Sequence, residues 1–277
     1  MFDLPMMKSD PLLGWKGIPD FQGVNSNYPD TYVKLDAEGW RSFWHNDSST
    51  TTVGFYGCSY LFGSGVPIEK TFGYLLNEKF PEFYCQNRAM PGYGTLQAFL
   101  NLQRDLRRVN APKHVCFFFL DVHVRRNVAS PLYVRNLQSG LFGQIKEARI
   151  PKAGIDMKKQ LSISRIPVYH PSLIHQDAKD FSVDSYYAYL VTKKIFLEAK
   201  LEAQKHDATF SVFFIRTDRE QEICNALKYD LETSGVNVHD VSEPRGVAEL
   251  KLGKNDFHLS VKGHALYAEK IYSKLNF

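Results

Sequence analysis

HVCFFFLDV (114–122) is almost continuously apolar. A strand with one face in water alternates apolar and polar residues, so a run like this reads as a strand buried on both faces, the mark of a parallel sheet. TFSVFFIR (209–216) repeats the pattern. Outward from these two, TTVGFYGC (51–58) is a shorter apolar run ending in glycine, EFYCQN (82–87) is a further candidate strand, and VNVHDV (236–241) is a weaker last one.

Helical periodicity fills the gaps between these runs. Ile68, Phe72, Leu75 and Leu76 fall on one face, and so do Leu96, Phe99, Leu100 and Leu106 in the stretch from Thr95 to Val109, which Asn110 and Pro112 end. Asp218 with Gln221 makes a capping-box start for a helix that buries Ile223, Leu227 and Leu231 and stops at Gly235. Ser260 caps a final helix with Val261, Ala265, Ala268, Tyr272 and Leu275 on one side. Strand and helix alternating at this spacing predict an α/β fold, a three-layer α/β/α domain around a mostly parallel central sheet.

That domain is expected over 51–277. Residues 1–50 are aromatic and polar (Trp15, Tyr28, Tyr32, Trp40, Trp44), with turn signals at Pro19, Asn25 and Pro29, and read as a segment that wraps the domain. Residues 128–182 have weak periodicity and are expected to form an insertion over the carboxyl edge of the sheet, where open α/β folds bind ligands. Arg104, Arg107 and Arg108 are expected on a solvated helix face.

Composition closes off several function classes. With 277 residues, 44% of them hydrophobic and 23% charged, the chain is neither collagen-like nor a disordered polymer. The charge balance, 34 − 30 = +4, makes no case for nucleic acid. No apolar run nears the roughly 18 residues a membrane span needs. The N-terminus MFDLPMMKSD lacks a basic region followed by an apolar one, so the chain as it stands reads as cytoplasmic. Cys58, Cys85, Cys116 and Cys224 form no CxxC pair, and His170 and His175 have no third ligand, so no metal is expected. Neither a P-loop nor a GxGxxG turn is present, and no cofactor is expected. No heptad or apolar stripe speaks to oligomeric state.

Three features fall at strand ends. GCSYLFGSGV (57–66) sets Ser59 in a glycine-ringed turn; Cys58 beside it reads as facing the core. NRAMPGYGTLQ (87–97) is a glycine turn after the second strand. NDFHLSVKGH (255–264) sets Asp256 two residues before His258 at the mouth of the last helix, a spacing at which a carboxylate can hold the imidazole Nδ1–H. In this order and at these strand ends they resemble the SGNH (GDSL-type) hydrolase superfamily over about residues 53–275, with GCS where the family has GDS. DPLLGW (10–15) and KLDAEGWRS (34–42) also look like the lead-in of some members.

The resemblance implies a flavodoxin-like fold and acyl transfer through a catalytic triad. Ser59 is the implied nucleophile, His258 the general base and Asp256 its orienting carboxylate. The Ser59 and Gly92 N–H groups are the implied oxyanion donors. The family's GxND motif is missing, since the chain reads LDVHVRRN there; His123 falls nearest the missing Asn, and Asn127 is the alternative. Arg125 and Arg126 are candidate contacts for an anionic substrate. The implied partner is an ester of a small molecule or carbohydrate. The implied activity is an esterase or deacylase, with transfer to a saccharide hydroxyl or a catalytically weak ligand-binding relative as alternatives.

Overall fold

The computed structural model describes residues 6–25, 28–43, 51–138, 147–168, 184–216, 220–243 and 247–275. Trp44, His170, His175 and the expected helix cap Asp218 lie outside them.

Two antiparallel hairpins come first, β1 (Met7–Asp10) with β2 (Gly14–Gly17) and β3 (Gln22–Asn25) with β4 (Tyr28–Lys34). The remaining strands are β5 (Thr51–Tyr56), β6 (Phe83–Asn87), β7 (His114–Leu120), β8 (Arg149–Ile155), β9 (Leu161–Pro167), β10 (Thr209–Arg216) and β11 (Asn237–Asp240). The helices are α1 (Ser59–Phe62), α2 (Phe72–Lys79), α3 (Thr95–Asp105), α4 (His123–Asn127), α5 (Pro131–Asn136), α6 (Ser185–Lys205), α7 (Gln221–Thr233) and α8 (Val261–Tyr272).

The central sheet has the order β6-β5-β7-β10-β11, and every pairing in it is parallel. That is a doubly wound, flavodoxin-like order whose direction reverses between β5 and β7. Helices α2 and α8 pack together over one face; α3, α6 and α7 pack in series over the other. Strand β7 shows why its sequence lacks polar alternation. Phe118 meets Phe72 of α2 at 5.2 Å, whereas Phe117 and Phe119 meet Phe196 of α6 at 6.3 and 5.5 Å. Successive side chains point to opposite faces, and both faces carry helices.

Three features of the structure were not read from sequence. The stretch 128–182, expected as an insertion of weak periodicity, holds α5 and the antiparallel pair β8/β9 where it is described. That hairpin packs on β2, α3, α4 and α6 and buries Ile150 and Ala153 while exposing Arg149 and Lys152. Burial along β8 follows no clean alternation, and a search for helical stripes finds nothing there. Helix α6 was not expected at all. Its buried stripe runs through Ala188, Tyr189, Val191, Thr192, Ile195, Phe196, Ala199 and Ala203, and the exposed Tyr186, Tyr187 and Leu201 reduce its contrast with the other faces. Asp184 caps it, accepting from the N–H groups of Tyr186 at 2.9 Å and Tyr187 at 3.2 Å.

The third concerns the arginines at and beyond the end of α3, which stops at Asp105 rather than at Val109. The buried Asp105 carboxylate takes Arg88 Nε at 3.0 Å and the Tyr56 hydroxyl at 3.1 Å. Arg104 sits 5.6 Å over the Trp40 ring, and Arg108 donates to both Glu38 oxygens at 2.8 and 2.7 Å. Two of the three arginines therefore tie the end of α3 to the N-terminal segment while staying partly exposed. All four cysteines are free and buried.

His264 of α8 is a buried fastening for α2. Its Nδ1 accepts the Phe72 N–H at 3.1 Å, which leaves the ring no room for a proton on that atom. Burial, with the charges of Arg41 and His258 adding to it, lowers its pKa to about 3. The unfolded chain takes this proton near pH 6.5 and the folded one does not, so stability falls as pH drops below about 6.5, by up to about 1.4 kcal/mol per pH unit until about pH 3. Urea denaturation at pH 7 and pH 5 should show a smaller loss for His264→Asn, whose Oδ1 can replace Nδ1, than for the wild type. Equal losses would place the acid sensitivity elsewhere.

Candidate functional site

The reversal of strand order opens a crevice at the carboxyl ends of β5 and β7. Ser59 is the first residue of the one-turn helix α1, three residues past the end of β5, and is buried. Its hydroxyl lies 2.8 Å from His258 Nε2. His258 Nδ1 lies 2.7 Å from Asp256 Oδ1, which also accepts the His258 backbone N–H at 3.0 Å. The two-residue spacing is what lets one carboxylate oxygen take both groups. Sequence reading thus named three residues that fold into one hydrogen-bonded row.

The protonation states follow from the partners. Burial pushes the Asp256 carboxyl up, but the His258 backbone N–H, the Tyr28 hydroxyl and the His258 ring together hold it below the usual carboxylate value. An ionised carboxylate can only accept, so Nδ1 carries the imidazole proton and Nε2 faces the Ser59 hydroxyl as an acceptor. Burial also lowers the His258 pKa; Asp256 pulls it up, Arg126 and Arg216 push it down, and the balance falls below the ordinary value.

The Asp256–His258 loop is held from outside. Tyr60, next to the serine, donates its hydroxyl to Phe257 O at 2.5 Å and accepts from Arg216 at 3.1 Å. Arg216, the last residue of β10, lies over the Phe257 ring at 5.2 Å. Arg41 is buried and donates to the carbonyls of Phe62, Gly63 and Val66 at 2.9, 2.7 and 2.9 Å, which closes the turn after α1. Burial lowers its pKa to about 10, and Glu69 partly offsets this.

The second glycine turn is anchored through three consecutive carbonyls. Trp15 Nε1 donates to Pro91 O at 3.1 Å, the Tyr133 hydroxyl to Gly92 O at 2.9 Å, and Arg126 to Tyr93 O at 2.7 Å. Gly92 has φ +85°, a conformation a side chain would resist. Its N–H belongs to the same planar peptide as Pro91 O and points the opposite way. Among the described residues neither the Gly92 N–H nor the Ser59 N–H has a hydrogen-bond partner.

The remaining predicted residues are placed as follows. Asn127 is put to a different use from oxyanion binding: its Oδ1 accepts the Leu96 N–H at the start of α3, and its Nδ2 donates to Thr192 of α6, both at 2.9 Å. His123 is buried, its ring edge-on to Phe119 at 5.6 Å, and its Nε2 has no partner among the described residues. Burial, with Arg126 adding to it, holds His123 well below the imidazole range and therefore neutral. Arg125 is paired with Glu220 at 2.7 Å, so its charge is compensated. Arg126 has no carboxylate partner among the described residues and, with Gly92, Val122, Tyr133 and Leu137, lines a cavity of about 430 Å³. Cys58 is buried and caps nothing with its side chain. No cluster of three or more His, Cys, Asp or Glu residues suited to a metal occurs among the described residues, and no helix there is long and apolar enough to cross a membrane. Sequence reading missed Trp15, Tyr28, Arg41, Tyr60, Tyr133 and Arg216 as parts of the site. Only Tyr60 carries a local signal, its place beside Ser59.

No protein-family profile matches the chain, and no curated protein does. Solved structures do resemble it. A member of the lipolytic protein G-D-S-L family from Veillonella parvula is 12% identical with a TM-score of 0.48, over 81% of this chain and 97% of that one. A catalytic mutant of an acetylxylan esterase from Geobacillus stearothermophilus is 10% identical with a TM-score of 0.47, over 83% and 96%. A salicylyl-acyltransferase from a tetracycline biosynthetic pathway is 12% identical with a TM-score of 0.45, over 82% of this chain and 55% of its own. None reaches a TM-score of 0.5, and the functional reading rests on the site itself.

Histidine NMR should show His258 titrating below pH 6.5. Removing a nearby cation favours the protonated ring, so Arg126→Gln should move that midpoint up. A midpoint unchanged in Arg126→Gln would mean that the Arg126 charge is screened from the ring.

Proposed function

We propose that this protein is a serine-dependent hydrolase of the SGNH type that cleaves an ester on a small molecule or carbohydrate through an acyl-enzyme. One observation carries the reading: the hydrogen-bonded row from Ser59 Oγ through both nitrogens of His258 to Asp256, at 2.8 and 2.7 Å.

In this reading Ser59 Oγ attacks the ester carbonyl as its proton passes to His258 Nε2, while Asp256 stabilises the imidazolium. The carbonyl oxygen takes the negative charge against the N–H groups of Ser59 and Gly92. His123 is the candidate third donor: its ring is neutral, and its Nε2 has no partner among the described residues. The tetrahedral carbon then expels the alcohol, which receives the His258 proton. Water, deprotonated by the same nitrogen, attacks the acyl-enzyme and releases the acid and Ser59. A histidine with a depressed pKa is unprotonated at neutral pH, as a general base must be. The cavity beside Gly92 adjoins the oxyanion position, and Arg126 gives it an uncompensated positive charge, which favours substrates with an anionic group there. The single buried serine in the row and the preset imidazole tautomer also support acyl chemistry over ligand binding alone.

A fluorophosphonate reports this chemistry without a known substrate. The Ser59 Oγ–P bond forms, the P–F bond breaks, fluoride leaves and the serine proton goes to His258. Intact mass and peptide mapping should find one adduct on Ser59, with Ser59→Ala unlabelled and His258→Ala slowed at least about a hundredfold. A folded wild-type protein that takes no adduct, or takes it on another residue, would overturn the reading.

A further inference from the structure

The N-terminal segment reaches the row of Ser59, His258 and Asp256 at one atom. The Tyr28 hydroxyl, at the start of β4, lies 2.8 Å from Asp256 Oδ2 and 2.8 Å from His258 Nδ1. We propose that Tyr28 is a positioning residue of the reaction, a fourth member of the row that fixes the Asp256 carboxylate and the His258 ring through one hydroxyl group. The inference rests on the acyl-transfer reading of that row.

The proton count leaves one arrangement. Tyr28 has a single O–H, and Asp256 is ionised, so that proton goes to Oδ2. The phenol oxygen is then an acceptor facing Nδ1–H, which already donates to Oδ1 at 2.7 Å. Three groups share two protons with no clash of donors. Burial, aided by the bond to Asp256 and its charge, raises the Tyr28 pKa, so the hydroxyl keeps its proton.

The arrangement answers a weakness of the short Asp-x-His spacing. Oδ1 already accepts from both the backbone and the ring of His258, so nothing within that loop reaches Oδ2. A carboxylate held at one oxygen can swivel about its Cβ–Cγ bond, and the imidazole would tilt with it. Tyr28 takes the second oxygen and stops the swivel. Its ring stands edge-on to His258 at 6.0 Å and packs on the nucleophile turn at Gly65, where an added Cβ would come within 3.0 Å of two Tyr28 ring carbons. The glycine thus has a reason beyond its own φ of +84°. Tyr28 touches the base and its carboxylate, not the serine, so it acts by holding them.

The test separates the hydroxyl from the ring. Tyr28→Phe keeps the packing on Gly65 and His258 and removes only the oxygen; Tyr28→Leu removes both. With 4-nitrophenyl butyrate, Tyr28→Phe should lower kcat by about ten- to a hundredfold, the range commanded by a hydrogen bond to a charged group, with KM and Tm close to wild type. The far-downfield Nδ1–H signal of His258 in proton NMR should shift and exchange faster with water, which loss of packing in Tyr28→Leu alone cannot explain. A Tyr28→Phe enzyme with wild-type kcat and an unmoved Nδ1–H signal would overturn the proposal and leave Tyr28 as a packing residue. The two readings fail separately. An unlabelled Ser59 in the wild type removes the acyl-transfer reading, while the Nδ1–H signal still reports whether the hydroxyl holds the ring.

Discussion

Strand β5 lies between two parallel neighbours, and the chain leaves β5 and β7 for opposite faces of the sheet. The rest of the structure depends on that constraint. Parallel pairing demands helices on both faces, which is why β7 is apolar along its whole length. Splitting the exits leaves an opening between them, and α1, the 90–94 turn and the loop before α8 all end there. The site is a consequence of topology before any side chain is considered.

An opening made by topology is not yet a rigid site, since three loops border it. The stiffness comes from the N-terminal segment, in which Trp15, Tyr28 and Arg41 each hold a different border. Trp15 fixes the plane of the Gly92 peptide, Tyr28 the Asp256 carboxylate, and Arg41 the turn after the serine. Trp15 and Arg41 are fully buried, so ordering these loops is coupled to burying large side chains. The clamp from Arg104 and Arg108 onto Trp40 and Glu38 keeps the segment in place from the far side. Residues of this segment thus contact three borders of the crevice.

These two levels differ in how far they can be read from sequence. The five central strands were legible because each is a local run with its own composition, and Ser59, Asp256 and His258 because each sits in a short pattern at a strand or helix end. The bracing residues have no such pattern. Tyr28 meets Asp256 across 228 positions, and Trp15 meets Pro91 across 76. With 15 tyrosines in the chain, nothing local distinguishes the one whose hydroxyl is used by the row. Asn127 shows the converse error. Its place after β7 suggested oxyanion chemistry, yet both ends of its amide tie helices together. Helix α6 escaped because apolar and aromatic residues also stand on its exposed side, among them Tyr186, Tyr187 and Leu201, and blur the buried stripe.

The electrostatics of His258 complete the argument. A base beside an ionised carboxylate is normally pushed toward the protonated form, in which it can accept nothing from serine. Here burial opposes that pull first, and the cations Arg126 and Arg216 oppose it again. Both cations also have mechanical work, Arg126 on the Gly92 turn and Arg216 on Tyr60 and Phe257. The same two groups thus set the geometry of the loops and the basicity of the ring between them. That coupling accounts for arginine at positions where a neutral donor would satisfy the hydrogen bonds alone: only a fixed charge holds the loop and keeps the imidazole free of its second proton.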